Sequence, residues 1–133
     1  MIETPGFLPQ YSAYKNLKFL ASLSGRVGKA EVREAIALVG LDPDNGKHVR
    51  KYSLGMRQRL AIAQAIMEKP RLFILDEPLS GLDKRGLAEI RSLFLDYKKQ
   101  GKTMVIASHS TEDIDILCDS VYEMDEGILT RIR

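Results

Sequence analysis

The sequence contains no tryptophan and a single cysteine, Cys118. One cysteine excludes an internal disulfide framework and fits a reducing compartment. No apolar run reaches the ~18–20 residues that a helix needs to cross a bilayer. The amino terminus also lacks the basic-then-apolar pattern of a secretory signal. The expected location is therefore the cytosol. A dominant charge sign is missing too: 20 Lys and Arg against 18 Asp and Glu leave a formal net charge of +2, too small to argue for nucleic acid. Basic residues gather at Arg57, Arg59, Lys69, Arg71, Lys84 and Arg85, but acids are interspersed, and a solvated face is the reading adopted for them. Internal repeats and low-complexity tracts are absent as well.

What is present suits one globular domain: 133 residues, 44% hydrophobic and 29% charged. The chain changes character near residue 70. Before it, apolar spacing is helical. Leu17, Leu20 and Leu23 share one face of a segment starting near Ser12, and Val32, Ala35, Ile36 and Val39 follow a second helical pattern that Gly40 can end. The turn-rich loop LDPDNGKH leads to YSLGMRQRL at residues 52–60, where a buried helix is expected from Met56 to Met67, stopped before Pro70. After residue 70, LFIL and TMVIAS are continuous apolar or β-branched runs, as expected of parallel strands covered on both faces. Leu87, Ile90, Phe94 and Tyr97 mark the inner face of a helix between them, which Gly101 ends, and VYEM and ILTRI form a closing hairpin. A helical lobe thus precedes a piece of an α/β sheet.

Ligands of open α/β sheets gather beyond the carboxyl ends of the strands. Asp76 and Glu77 stand at one such end. A carboxylate there suits Mg²⁺, which keeps waters and phosphate oxygens in its shell, and its neighbour could orient or deprotonate an attacking water. A polar strand exit fixed by Pro78 is the plainer alternative. His109 follows the second strand directly and could accept, donate or stabilise charge near neutrality, or simply hold the loop by a hydrogen bond. Ser53 is placed to cap the helix that follows, leaving Leu54 and Gly55 with free N–H groups where the helix dipole favours an anion. A phosphate would fit there; an ordinary serine cap reads equally well. The complementary phosphate loop G-x-x-x-x-G-K-[ST] is not found. Gly28-Lys29 and Gly46-Lys47 are near misses that lack the first glycine and the hydroxyl, and neither follows a strand.

Together these residues resemble the ATP-binding subunits of ABC transporters. YSLGMRQRL is similar to the family signature, FILDEP to the Walker B strand, Ser80-Gly-Leu-Asp83 to the D-loop, and Ser108-His109 to the switch histidine. The amino-terminal stretch IETPGFLPQYSAYKNLKFLASL resembles the segment after the Q-loop in exporters of the bacitracin and lantibiotic-immunity type, with Glu3 where most members have glutamine. The signature departs at Leu54 and Met56, where the family usually has glycine and glutamine.

The resemblance implies a partial P-loop ATPase core, residues 70–133, joined to an ABC-type helical lobe, residues 12–69, without the amino-terminal strands and Walker A loop. It implies ATP and Mg²⁺ as cofactors. Ser53 and Gly55 would contact the γ-phosphate of ATP on the opposite subunit of a head-to-tail dimer. Asp76 would hold Mg²⁺ through water, Glu77 would be the general base, and His109 would stabilise the transition state. Asp83 would communicate across the dimer, while Glu3 and the helical lobe would sense nucleotide and touch a transmembrane permease at the inner face of the membrane.

The implied function is that of a peptide or drug exporter's ATPase subunit, here expected as a carboxy-terminal fragment beginning at the Q-loop and inactive alone. Missing strands would leave sheet edges that favour self-association. A non-catalytic regulatory or binding module is the alternative. A chromosome-maintenance or DNA-repair ATPase is disfavoured, because residues 3–53 leave no room for a long coiled coil.

Overall fold

A computed structural model describes residues 6–133. Three helices build the first part. Helix α1, Ala13–Ser24, starts where the Ser12 hydroxyl accepts the Lys15 N–H at 3.3 Å and ends at Gly25, whose φ of 67° is left-handed. Helix α2, Lys29–Leu38, opens with the Gly28 N–H donating to Glu31 Oε2 at 3.0 Å and is followed by Gly40 at φ 83°. A single 3-10 turn, Val49–Lys51, leads into α3, Leu54–Ile66. Leu17, Val32, Ile36, Val39, Leu60 and Ile62 are fully buried between these helices, which supplies the apolar burial that short helices need.

The inward face of α1 differs from the expected leucine stripe. It consists of Ala13, Asn16, Leu17 and Ala21, whereas Leu23 is exposed. Asn16 explains the rotation. Its amide donates to the carbonyls of Leu8, Tyr11 and Ser12 and its oxygen accepts the Leu8 N–H at 2.7 Å, so the preceding loop is tied to this face. Every polar position of the buried amide that the loop can reach is thereby used.

The second part is α/β. Strand β1, Leu72–Asp76, pairs in parallel with β2, Thr103–Ala107, and Asp76 lies opposite Ala107. Helix α4, Lys84–Lys99, crosses between them and packs Ile90, Leu93 and Phe94 against Phe73 and Leu75. Phe73 stacks on Tyr97 with ring centroids 5.4 Å apart. A further helix, α5, Thr111–Leu117, leads to strands β3, Tyr122–Asp125, and β4, Ile128–Arg131. These two form an antiparallel hairpin across Glu126-Gly127, both at positive φ (46° and 79°), the geometry a tight two-residue hairpin loop requires.

Burial alternates along β1: Phe73 and Leu75 are inside, Leu72 and Ile74 are exposed, and Val105 of β2 is exposed on the same side. Strands covered on both faces were the expectation; α4 covers only one. Among the described residues, no helix is long and apolar enough to cross a membrane.

Candidate functional site

Parallel pairing brings the ends of β1 and β2 to one edge, and with them Asp76, Glu77 and His109. Asp76 is exposed at the last position of its strand. At Glu77 the chain turns sharply: φ is 46°, a left-handed value that a non-glycine residue seldom adopts. Its N–H donates to the Ala107 carbonyl at 2.8 Å, extending the sheet by one bond, while its carbonyl accepts the Ser80 N–H at 3.2 Å. The side chain, 31% exposed, points back over the strand ends: Oε1 accepts the His109 backbone N–H at 2.9 Å and lies 3.8 Å from His109 Nε2. The imidazole itself is fully exposed. An acid anchored by a backbone donor can hold a water, and the solvent-facing imidazole beside it can donate to a phosphate oxygen.

The loop between Ser108 and α5 is fixed by two hydroxyls. The Ser110 N–H donates to Ser108 Oγ at 3.0 Å, and Ser110 Oγ caps α5 by accepting the Asp113 N–H at 3.2 Å. Asp113, only 7% exposed, accepts from Arg91 Nε at 2.9 Å and Nη2 at 2.5 Å, so α4 holds the helix that follows His109. Sequence reasoning missed α5 and this pair, although Ser110 followed by Glu112 and Asp113 is a helix-start pattern.

Ser53 is the N-cap of α3, its Oγ accepting the Met56 N–H at 3.2 Å. The helix therefore begins at Leu54, two residues before the expected Met56. Gly55 abuts the loop after β1, since a Cβ built there would lie 3.2 Å from the Gly81 carbonyl oxygen. Gly81, at φ 81°, faces the Leu54 side chain, which a Cβ would meet at 2.9 Å. Helix start and loop thus approach closely: the backbone of Gly55 lies against the Gly81 carbonyl, and Gly81, at its left-handed φ, leaves room for the Leu54 side chain. Asp83 is the N-cap of α4, accepting the Gly86 N–H at 2.7 Å. Glu3 lies outside the described residues.

Two residues of α3 have roles that their sequence context hid. Gln58 donates to the carbonyls of Glu77 at 3.1 Å and Pro78 at 2.7 Å. Arg59 is not a solvated helix residue: its side chain is largely buried, donating to the Val39 carbonyl and to Glu89 Oε2, each at 2.9 Å. Hydrogen bonds from Arg59 and then Arg85 hold the Glu89 carboxyl below its ordinary value. Arg57 does remain exposed, with one bond to the Arg50 carbonyl at 3.3 Å.

Among the described residues no group of three potential ligands could cage a metal alone. Mg²⁺ does not require one: it is bound through one or two carboxylates together with waters and substrate phosphates. The exposed Asp76 beside Glu77 fits that donor set.

The chain is 45% identical over 129 residues to an uncharacterized ABC transporter ATP-binding protein, YybJ, of Bacillus subtilis, covering 97% of this chain and 59% of that protein. It is 46% identical to the bacitracin transport ATP-binding protein BcrA of Enterococcus faecalis, covering 97% of this chain and 42% of that protein. For the lantibiotic transport ATP-binding protein SrtF of Streptococcus pyogenes the identity is 36%, covering 96% of this chain and 55% of the other. The chain thus spans about half the length of these curated relatives.

Among solved structures, the post-hydrolysis ATP-binding cassette MJ0796 bound to ADP and Pi shares the fold at a TM-score of 0.83 and 20% identity, covering 99% of this chain and 61% of that one. The dimeric MJ0796 cassette superposes with a TM-score of 0.75 at 21% identity, covering 86% of this chain and 53% of the other. The family model described as ABC transporter matches residues 1–80. With this match over residues 1–80 and these relatives beside it, the chain belongs to the ABC transporter family of ATP-binding proteins.

Proposed function

We propose that this chain supplies half-sites for ATP in a transporter that exports peptides or drugs, as part of an ATP-binding subunit. The observation that carries the reading is Glu77, locked in a left-handed turn with its carboxylate held by the His109 N–H and facing the imidazole. Glu77 acts as the general base for the attacking water, and His109 meets the γ-phosphate and its developing charge. Mg²⁺, held through Asp76 and water, would supply charge neutralisation at the phosphates. Ser53 and Gly55, at an exposed helix start, receive the γ-phosphate of ATP seated on the opposite subunit of a head-to-tail dimer.

Asp83, as the cap of α4, holds the D-loop corner at that interface, and Glu3 belongs to the nucleotide sensor. The functional division is a helical lobe, residues 12–69, which with Glu3 faces a transmembrane permease, and a core, residues 70–133. The chain works on the cytoplasmic side of the membrane. The phosphate loop that completes each site comes from outside these residues, because the sequence holds no G-x-x-x-x-G-K-[ST].

Two measurements test this. Calorimetric titration of the chain with Mg-ATP is expected to show no saturable binding up to millimolar nucleotide; clear binding would mean a nucleotide site completed within the chain itself, beyond the weak half-site at Ser53 and Gly55. In a complete parent subunit, Glu77→Gln is expected to lower turnover by at least ~10²-fold while sparing ATP binding. Unchanged hydrolysis would remove Glu77 from the mechanism.

A further inference from the structure

The link between α3 and the turn at Glu77 has no counterpart in the roles assigned so far. Gln58 lies one turn into α3, beyond the Ser53 cap, and its amide nitrogen spans two successive carbonyls, those of Glu77 and Pro78. A primary amide has two N–H donors, so one side chain can satisfy both carbonyls. The peptide it holds is the one at left-handed φ, a conformation that persists only when its surroundings fix it. Three bonds fix it: Glu77 N–H to Ala107, Ser80 N–H to the Glu77 carbonyl, and the Gln58 amide. Two of these come from the sheet and the loop. The third alone comes from α3.

The same end of the helix, one turn before Gln58, carries Ser53 and Gly55. In the head-to-tail reading that end faces one nucleotide and Glu77 faces the other. We infer that Gln58 is a positioning residue whose amide ties the left-handed peptide of Glu77 to α3, so that seating a phosphate at the start of α3 sets the geometry of Glu77. A helix transmits a displacement of its first turn along its length, and a donor one turn further in carries it to the carbonyls it holds. The inference deepens the proposed function and rests on its placement of a phosphate at Ser53 and Gly55.

Amide exchange and phosphate titration, both followed by NMR on the chain, test it with Gln58→Met, which keeps length without donors, and Gln58→Lys, which keeps donors. Gln58→Met is expected to speed exchange of the Glu77, Ser80 and His109 amides by about tenfold or more, with Ile62 and Ile90 unchanged. Gln58→Lys is expected to restore much of the protection. On titration with inorganic phosphate, the resonances of Leu54, Gly55 and Met56 should shift in wild type and in Gln58→Met alike. Those of Glu77 and His109 should follow in wild type and stay still in Gln58→Met. A Glu77 and His109 response that survives in Gln58→Met, or unchanged exchange at all three amides, overturns the inference. Absence of any wild-type response at residues 54–56 instead refutes the phosphate reading of that helix start, and the exchange rates still decide whether Gln58 fixes the Glu77 peptide.

Discussion

Replacing Asp113 by alanine is the sharpest test of how α5 is held behind His109. The carboxylate is nearly buried and takes two hydrogen bonds from Arg91, whose side chain is 16% exposed. Removing one partner of a buried pair costs about 3–5 kcal/mol, because a charge is left without compensation. An exposed pair costs about 0–1 kcal/mol. This pair falls between the two limits, since Glu112 Oε2 lies 3.6 Å from the same guanidinium nitrogen and can take over part of the interaction in water. The expected loss is therefore about 2–3 kcal/mol.

For a chain of 133 residues, each kcal/mol moves the midpoint by about 3–4 °C, so Tm should fall by about 6–12 °C. Urea unfolding gives the free energy and a thermal melt the midpoint. Arg91→Met combined with Asp113→Ala removes both charges, and the double variant should be more stable than the sum of the single losses by about 1–2 kcal/mol. The reasoning fails if Asp113→Ala alone costs less than about 0.5 kcal/mol, or if the two losses simply add.

Glu89 gives a pH test. Its folded pKa is depressed by Arg59 and then Arg85, so its stabilisation is present above the ordinary value of 4.5 and is lost as pH falls through the folded value. Melts of wild type and Glu89→Gln should differ at neutral pH and converge in acid; a gap independent of pH refutes the linkage. The exposed apolar side of β1 and β2 predicts self-association, with Leu72 53% and Val105 55% exposed. Light scattering at micromolar concentration should find species larger than a monomer, reduced by Leu72→Ser with Val105→Thr, and a monodisperse wild-type monomer would count against the idea.

Much of the framework was legible in the sequence because local chemistry set it. Ser12 and Ser53 cap their helices, Gly40 and Gly101 take left-handed values beyond α2 and α4, and Glu126-Gly127 closes the hairpin. The candidate acids and the histidine reach one edge because two apolar runs joined by a helix pair in parallel, which is how such a connection closes. What stayed hidden depends on contacts distant in sequence. Arg59 looks like a solvated helix residue until the Val39 carbonyl and Glu89 are brought against it, and nothing local marks Gln58 until the Pro78 turn reaches it. The outer face of β1 is open because an apolar run states that a strand can be buried on both sides, not that cover is present for both. Helix α5 escaped notice because its seven residues carry too few apolar positions to show a period.

The backbone at Glu77 has an evolutionary consequence. A left-handed φ costs a side-chain-bearing residue about 1–2 kcal/mol, which glycine avoids and asparagine partly avoids. The proposed chemistry, however, needs a carboxylate at that point. Foldability and activity therefore pull this position in opposite directions, and a lineage relieved of selection for turnover would drift toward the smaller residues. A library randomised at position 77 and sorted only for resistance to proteolysis should enrich glycine and asparagine over glutamate. Enrichment of glutamate would mean that the bonds to Ala107, Ser80 and His109 already outweigh the strain of the turn.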